Sequence, residues 1–325
     1  MLEATKPAEM VNAYDSGGMN FIVAVLVFLT GLVILFVGGD ANKRQPAKLE
    51  PPPQAPEAPS NPRRDGIVAE GETLLAAARD RLQLSDFEGA AERFKQALVL
   101  TPPQDEIKVA EINARLGWVY LLKARETRSL SDIESSIAAY QVTSKCLASK
   151  DTWPIYPIIR YELGEAYWLK WEVTGDLVDL QSSSQSYAMS VSTLPKRRDR
   201  VAFGRYQQRY GNTLRLLAAE LDDPTLLRVA ELRLLEAVQL SPPETAPSVW
   251  VLAMEQLALT REAMAVAGLE PEQKRREAIK NLEAVARYLP KLSLEPAAAR
   301  VNEHRARMDN AAAKLAHTDA QQSFP

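Results

Sequence analysis

The chain has 325 residues and a formal net charge of −3, with apolar and charged fractions close to the globular average. This near-neutral balance gives no general reason to expect nucleic acid as a partner. A single cysteine, Cys146, excludes an intrachain disulfide, and with His304 and His317 as the two histidines no Cys/His metal site can be assembled.

A transmembrane helix is predicted over residues 19–39, after a short N-terminal tail of residues 1–18. The stretch from Met19 to Val37 carries no charge and would span about 28 Å as a helix, close to the thickness of a bilayer core. The alternative is a cleaved signal peptide. The long acidic tail before the span and the lack of a small-x-small cleavage site favour a retained anchor.

The charges that flank this span suggest its orientation. Lys6 precedes it, whereas Lys43, Arg44 and Lys48 follow it closely. The positive-inside rule therefore favours a cytoplasmic C-terminal domain. The single span is expected to lie in a bacterial inner membrane. A periplasmic domain is the alternative, because proline-rich tethers are common there as well.

Three small residues, Ala24, Gly31 and Gly38, follow one another at intervals of seven within the span. They would lie on one face of the helix and allow close packing against another membrane helix. The alternative is that small residues are simply common in such helices.

Residues 40–65 form a predicted proline-rich linker, densest in proline from Gln45 to Pro62. Proline at this density prevents helix formation and favours extended polyproline II. A plain spacer is favoured over a recognition ligand, because Pro, Ala and Glu are ordinary linker residues.

The apolar spacing becomes helical after Arg64, and one pattern then recurs. Its first copy is Phe87, Ala90, Phe94, Ala97 and Pro102, in which a small residue allows close helix approach, an aromatic ring fills the gap and proline ends the helix. Later copies are Ile133, Ser136, Tyr140 and Thr143; Leu180, Ser183, Tyr187, Ser190 and Pro195; Leu227, Ala230, Leu234, Ala237 and Pro242; and Ala278, Leu282, Val285 and Pro290, shifted by one.

The preceding helix repeats too, because Gly117, Gly164 and Gly211 are 47 residues apart, as are Tyr140, Tyr187 and Leu234. The pattern resembles the tetratricopeptide repeat, whose usual period is about 34 residues. The resemblance implies an all-α, right-handed α-solenoid of two-helix hairpins over residues 66–317. Because Ala78 to Phe87 is 9 residues and Gly117 to Ile133 is 16, only the first copy is expected to have ordinary length.

The end of the chain is predicted to cap this solenoid. The stretch from Glu295 to Ala316 has the spacing of an amphipathic helix, which would cover the apolar face of the last hairpin. Residues 318–325 are expected to form a disordered tail.

The resemblance also implies a partner-binding surface, the A-helix wall, formed by the first helices of successive hairpins. Carrying the family's groove positions onto this chain gives Trp118, Tyr161, Glu165, Trp168, Arg205, Gln208, Asn212 and Arg215. Tryptophan, tyrosine and arginine often anchor interfaces. The alternative is that the tryptophans pack between helices, since an exposed tryptophan is unfavourable.

A basic cluster, Lys196, Arg197, Arg198 and Arg200, continues to Arg205 and Arg209. It could meet an acidic partner or lipid headgroups. It lacks the interleaved aromatic residues of a single-stranded nucleic-acid platform, and a solvated loop is the favoured interpretation.

No motif for catalysis, nucleotide binding or a metal is found, so we expect no catalytic residue, cofactor or metal site and no enzymatic activity. Carboxylates are interpreted as solvated and His304 as a surface residue. The resemblance implies a membrane-tethered scaffold or adaptor that binds a protein partner, including an integral membrane protein. The alternatives are an accessory structural subunit held by its transmembrane helix and, last, an enzyme with an unrecognised site.

Overall fold

The structure is a computed structural model that describes residues 61–148, 155–194, 196, 199–292, 297, 299–308 and 310. The predicted tail 1–18, span 19–39, tail 318–325 and nearly all of the linker lie outside these residues, as do Ala24, Gly31 and Gly38. Within the described part of the chain, no helix combines the length and apolar character needed to cross a bilayer.

The described residues form helices joined by short connections, and no strand occurs among them. The helices are α1 (Pro62–Arg81), α2 (Leu84–Val99), α3 (Glu106–Thr127), α4 (Leu130–Ala148), α5 (Tyr156–Thr174), α6 (Leu177–Thr193), α7 (Arg200–Glu220), α8 (Thr225–Leu240), α9 (Pro247–Val266) and α10 (Pro271–Leu292). Helix α1 thus begins inside the segment predicted as linker, with Asn61 capping it by accepting a hydrogen bond from the backbone of Arg64.

Consecutive helices pack as five hairpins, each made of an odd-numbered A helix and an even-numbered B helix. Each of the first four B helices also packs against the next A helix, and α3 touches α5 as α7 touches α9. The described part of the chain is therefore an all-α stack of tandem hairpins, as the recurring pattern predicts.

A close approach between the two helices of a hairpin is repeated along the stack. A Cβ atom added at Gly117 would lie 3.0 Å from the ring of Tyr140, and one at Gly164 would lie 2.7 Å from the ring of Tyr187. Ser136 and Ser183 complete the approach by donating hydrogen bonds of 2.8 and 2.9 Å to the carbonyl oxygens of the two glycines. Small residues on one helix therefore admit a large ring from the other.

The first hairpin follows the same rule, which corrects the prediction that it is shorter. Gly71 makes the close contact in this hairpin, with Phe94 2.9 Å from an added Cβ. The step from Gly71 to Phe94 is 23 residues, as it is from Gly117 to Tyr140. Gly211 makes the same contact with Leu234, 23 residues later, at 2.7 Å, so four hairpins share one spacing and the longer period is not confined to the later copies.

The last hairpin departs from prediction at Pro290. This residue was expected to end the helix, but α10 continues through it to Leu292. Residues 299–308 are helical beyond it, and Ala297, Val301 and Met308 are buried in one cluster with Trp250 of α9 and Leu282 of α10. The described part of the predicted capping segment thus covers the apolar side of the final hairpin.

Candidate functional site: the A-helix wall

Six of the eight predicted wall residues are buried. Trp118 and Trp168 are 8% and 7% exposed, so these two tryptophans pack between helices, as the alternative interpretation has it. The other four are Tyr161, Glu165, Gln208 and Asn212. Arg205 and Arg215 are partly exposed.

Glu165 of α5 joins three helices and is 5% exposed. Its carboxylate accepts hydrogen bonds from Arg125 of α3 at 3.1 Å, from Arg209 of α7 at 2.8 Å and from the hydroxyl of Tyr187 at 2.6 Å. Burial opposes ionisation, but Arg209 and Arg125 outweigh it and hold the pKa of Glu165 below its ordinary value. The glutamate is therefore a charged bridge between A helices of successive hairpins.

The same bridge includes Trp168, one turn further along α5. The guanidinium of Arg209 lies 5.5 Å from the centre of a ring of Trp168, within range of a cation–π interaction. The indole nitrogen donates a 2.8 Å hydrogen bond to Glu172, which accepts another at 2.6 Å from Arg128. Contacts thus run without a break from the end of α3 through α5 to α7.

Glu162 lies one helical turn before Glu165 and differs from it sharply. It is 9% exposed and forms no hydrogen bond within the described ranges. Burial raises the pKa of Glu162 to about 7. The positive charge of Arg125 lowers this pKa, and the negative charge of Glu165 raises it, but neither effect is as large as that of burial. The wall therefore contains one carboxyl group that changes charge near neutral pH.

Two buried tyrosine hydroxyls near Glu162 also lack a hydrogen-bond partner in the described structure. They belong to Tyr140 and Tyr206. Burial is the main cause that raises the pKa of both hydroxyls, and nearby charges, including that of Glu162, add to it. The ring of Tyr206 stacks on that of Tyr161, with 4.3 Å between centroids. Aromatic rings therefore pack between α5 and α7, and the charge of Glu162 acts on tyrosines of both α4 and α7.

Polar contacts continue toward the C-terminus. Gln208 of α7 donates a 2.6 Å hydrogen bond to Gln256 of α9. Arg215 donates to Asn212, at 2.9 Å from Nη2, and burial lowers the pKa of Arg215 to about 10. Two predicted wall residues are thus brought together.

The wall ends at a bidentate ion pair. Arg300, in the C-terminal helical segment, donates hydrogen bonds of 2.7 and 2.8 Å to the two carboxylate oxygens of Glu255 on α9. Nδ1 of His304 lies 3.2 Å from Glu255 as well. Burial raises the pKa of Glu255, but hydrogen bonds from His304 and Arg300 outweigh this and hold it below its ordinary value.

These contacts correct three predictions. Glu162 and Glu255 are buried, although scattered carboxylates were expected to be solvated. His304 has a side chain only 17% exposed against Glu255, although a surface position was expected. Arg209 belongs to the wall and not to a solvated basic cluster. The available signal was a basic residue recurring 40–45 positions from an acidic one, as in Arg125 and Glu165.

Two residues of the predicted basic cluster, Lys196 and Arg200, are among the described residues. Lys196 is exposed and pairs with Glu236 at 2.5 Å, while Arg200 is exposed at the start of α7. Arg197 and Arg198 lie outside the described residues. In the described ranges, no group of three or more His, Cys, Asp or Glu side chains is placed to hold a metal ion.

Comparison with known proteins adds one structural likeness. No protein-family model matches the chain, and no curated protein matches it either. Among solved structures it is similar to a de novo designed helical repeat protein, at 16% identity and a TM-score of 0.20, over 78% of this chain and 96% of that one. The stacked hairpins of this chain are defined by the helix contacts described above.

Proposed function

We propose that this protein is a membrane-tethered scaffold or adaptor of the tetratricopeptide type, whose right-handed helical stack binds a protein partner. A predicted single-pass anchor at residues 19–39 would hold it in a bacterial inner membrane, and the proline-rich linker would give it reach. The stack would face the cytoplasm by the positive-inside bias, with the periplasm as the alternative.

The observation that supports binding is the braced A-helix wall. Its buried contacts fix α3, α5, α7 and α9 to one another, so a partner would meet a surface that is already ordered. Arg205 and Arg215 are partly exposed on this surface, and the side chain of Arg125 is 31% exposed. Guanidinium groups held in place favour a partner segment that carries carboxylates.

The test is purification of the full chain in mild detergent and quantification of any partner that co-purifies in fixed proportion. The double variant Arg205→Ala/Arg215→Ala should lose that partner at unchanged helical content. Arg228→Ala, which removes an exposed arginine from α8, is the matched control and should keep it.

Two other results would contradict the adaptor role. Retention of the partner by the wall variant together with its loss in Gly31→Ile would identify a structural subunit held by its membrane helix. A stable, partner-free protein whose turnover of a substrate is lost on substitution of a wall carboxylate would identify an enzyme.

A further inference from the structure

Exposed aliphatic side chains concentrate at one edge of the hairpin stack. Among the described residues, eleven large hydrophobic side chains are strongly exposed, and seven of them lie at turns that join an A helix to its B helix. These seven are Leu82, Leu84, Leu130, Val173, Val178, Leu221 and Val266. Single exposed aliphatic residues are ordinary, but their concentration at equivalent turns is not expected from chance alone.

The turns lie beside one another because the hairpins stack in the same orientation. Arg128, at the end of α3, pairs at 2.6 Å with Glu172, near the end of α5. Leu177 after the third turn and Leu226 after the fourth belong to one apolar cluster, and Leu226 also packs in a cluster with Leu269 of the fifth turn. Neighbouring helices lie about 8–10 Å apart, so the last three turns form an edge about 20 Å long.

The last three turns also carry an excess of acidic side chains. Their segments, residues 172–179, 219–226 and 266–273, contain no lysine or arginine. Of their carboxylates, Glu172, Asp179 and Glu270 pair with Arg128, Lys170 and Lys274, which lie outside these segments. Exposed carboxylates lie between the aliphatic side chains, at Asp176, Glu220, Asp222, Glu270 and Glu272. The first two turns, residues 79–86 and 125–132, have as many basic as acidic residues. We name the three later segments the acidic turn edge.

We propose that the acidic turn edge docks a protein segment that carries aliphatic side chains together with lysine or arginine, in the form of an amphipathic helix. Such a segment would cover Val178, Leu221 and Val266, which are 62%, 44% and 78% exposed, and would place opposite charges beside the carboxylates. An edge of about 20 Å matches about 13 helical residues. Apart from Glu172, which accepts a hydrogen bond from Trp168 of the A-helix wall, the edge shares no residue with the wall, so this inference does not rest on the proposed function.

Charge argues against the other two occupants of an apolar surface. The cytoplasmic face of a membrane is negatively charged and would repel this edge. A symmetric contact with a second copy of the chain would place the same carboxylates against one another. A basic amphipathic segment satisfies both the apolar and the acidic parts of the surface.

The experiment uses the full chain in nanodiscs of neutral lipid, with empty nanodiscs as the baseline. Its probes are two fluorescent 14-residue helical peptides with the same leucine spacing, one with lysine and one with glutamate at the polar positions. Fluorescence anisotropy should show binding of the lysine peptide at least tenfold tighter than that of the glutamate peptide. Val178→Ser/Leu221→Ser should weaken lysine-peptide binding at least tenfold, and Asp222→Asn/Glu272→Gln severalfold.

The matched control is Val99→Ser/Leu232→Ser, which removes two aliphatic side chains that are 86% and 66% exposed away from these turns. It should leave binding unchanged, with helical content equal in all variants. Equal binding of both peptides, or equal loss in the control, would overturn the proposal. So would self-association, or binding to anionic vesicles, that the Val178→Ser/Leu221→Ser pair abolishes. Arg205→Ala/Arg215→Ala leaves this edge intact, so the two proposals can fail separately.

Discussion

Gly164 and the ring of Tyr187 are in such close contact that a Cβ atom at position 164 would lie 2.7 Å from both Cδ1 and Cε1 of the tyrosine. Tyr187 is fully buried, and its hydroxyl is held by Glu165, so the ring has little freedom to move away. The contact recurs with Tyr140 at Gly117, and its steric requirement accounts for the glycine period seen in the sequence.

Gly164→Ala should therefore lower the free energy of unfolding by about 1–3 kcal/mol, because overpacking outweighs the better helix propensity of alanine. Gly66→Ala is the matched control, since nothing lies within 4 Å of a Cβ atom added there. It should raise stability by about 0.5–1 kcal/mol. Urea unfolding followed by circular dichroism measures both, and equal effects of the two substitutions would contradict the packing argument.

The two arginines that contact Glu165 are not equivalent. The side chain of Arg209 is 10% exposed and that of Arg125 is 31% exposed. Removal of a buried partner leaves a buried charge with less compensation, so Arg209→Ala should cost about 3 kcal/mol of unfolding free energy. Arg125→Ala should cost about 1 kcal/mol or less, because solvent replaces part of the interaction. Chemical denaturation would contradict this account if the order were reversed.

How far the sequence predicts the structure differs between the hairpins and the wall. The contact between Gly117 and Tyr140 depends on side-chain size at a fixed spacing, so it is visible as a repeat. The sequence spacing places Ala78 at the position of the later glycines, whereas in the structure Gly71 makes the contact with Phe94. Glu162 and Glu255 were missed because burial of a carboxylate depends on which neighbouring helix covers it, and no local pattern records that. His304 was missed for the same reason, since its partner, Glu255, is 49 residues away.

Glu162 gives a prediction for the dependence of stability on pH. Its pKa is raised to about 7 in the folded protein, above the ordinary value of 4.5 that applies when the chain is unfolded. The folded state therefore binds more protons between these two values, and stability from this group falls as pH rises from about 4.5 to about 7. The loss is on the order of 3 kcal/mol and is complete about one pH unit above 7.

Glu162→Gln keeps the size of the side chain and removes the titration. We expect it to be more stable than the unsubstituted protein at pH 8 and to show a flatter stability profile between pH 5 and 7, measured by urea unfolding in steps of one pH unit. Glu165 provides the contrast, because its pKa is lowered in the folded protein. Its ionised carboxylate stabilises the fold at pH values above the ordinary pKa of glutamate, and this contribution is lost as pH falls through the lowered pKa. Identical profiles for Glu162→Gln and the unsubstituted protein would exclude a titrating Glu162.

Val301, in the C-terminal helical segment, has no exposed surface and packs in the cluster that includes Trp250 and Leu282. Val301→Asp would bury a charge there and should displace the segment from the last hairpin. Ala306→Asp, at an exposed position of the same segment, is the matched control.

Because each hairpin of a repeat stack contacts mainly its neighbours, the effect of Val301→Asp should stay local. Hydrogen exchange should accelerate at least tenfold in α9 and α10 and remain unchanged in α1 and α2. Uniform acceleration along all hairpins would mean that the stack unfolds as one cooperative unit, and no change would mean that the segment does not cap it.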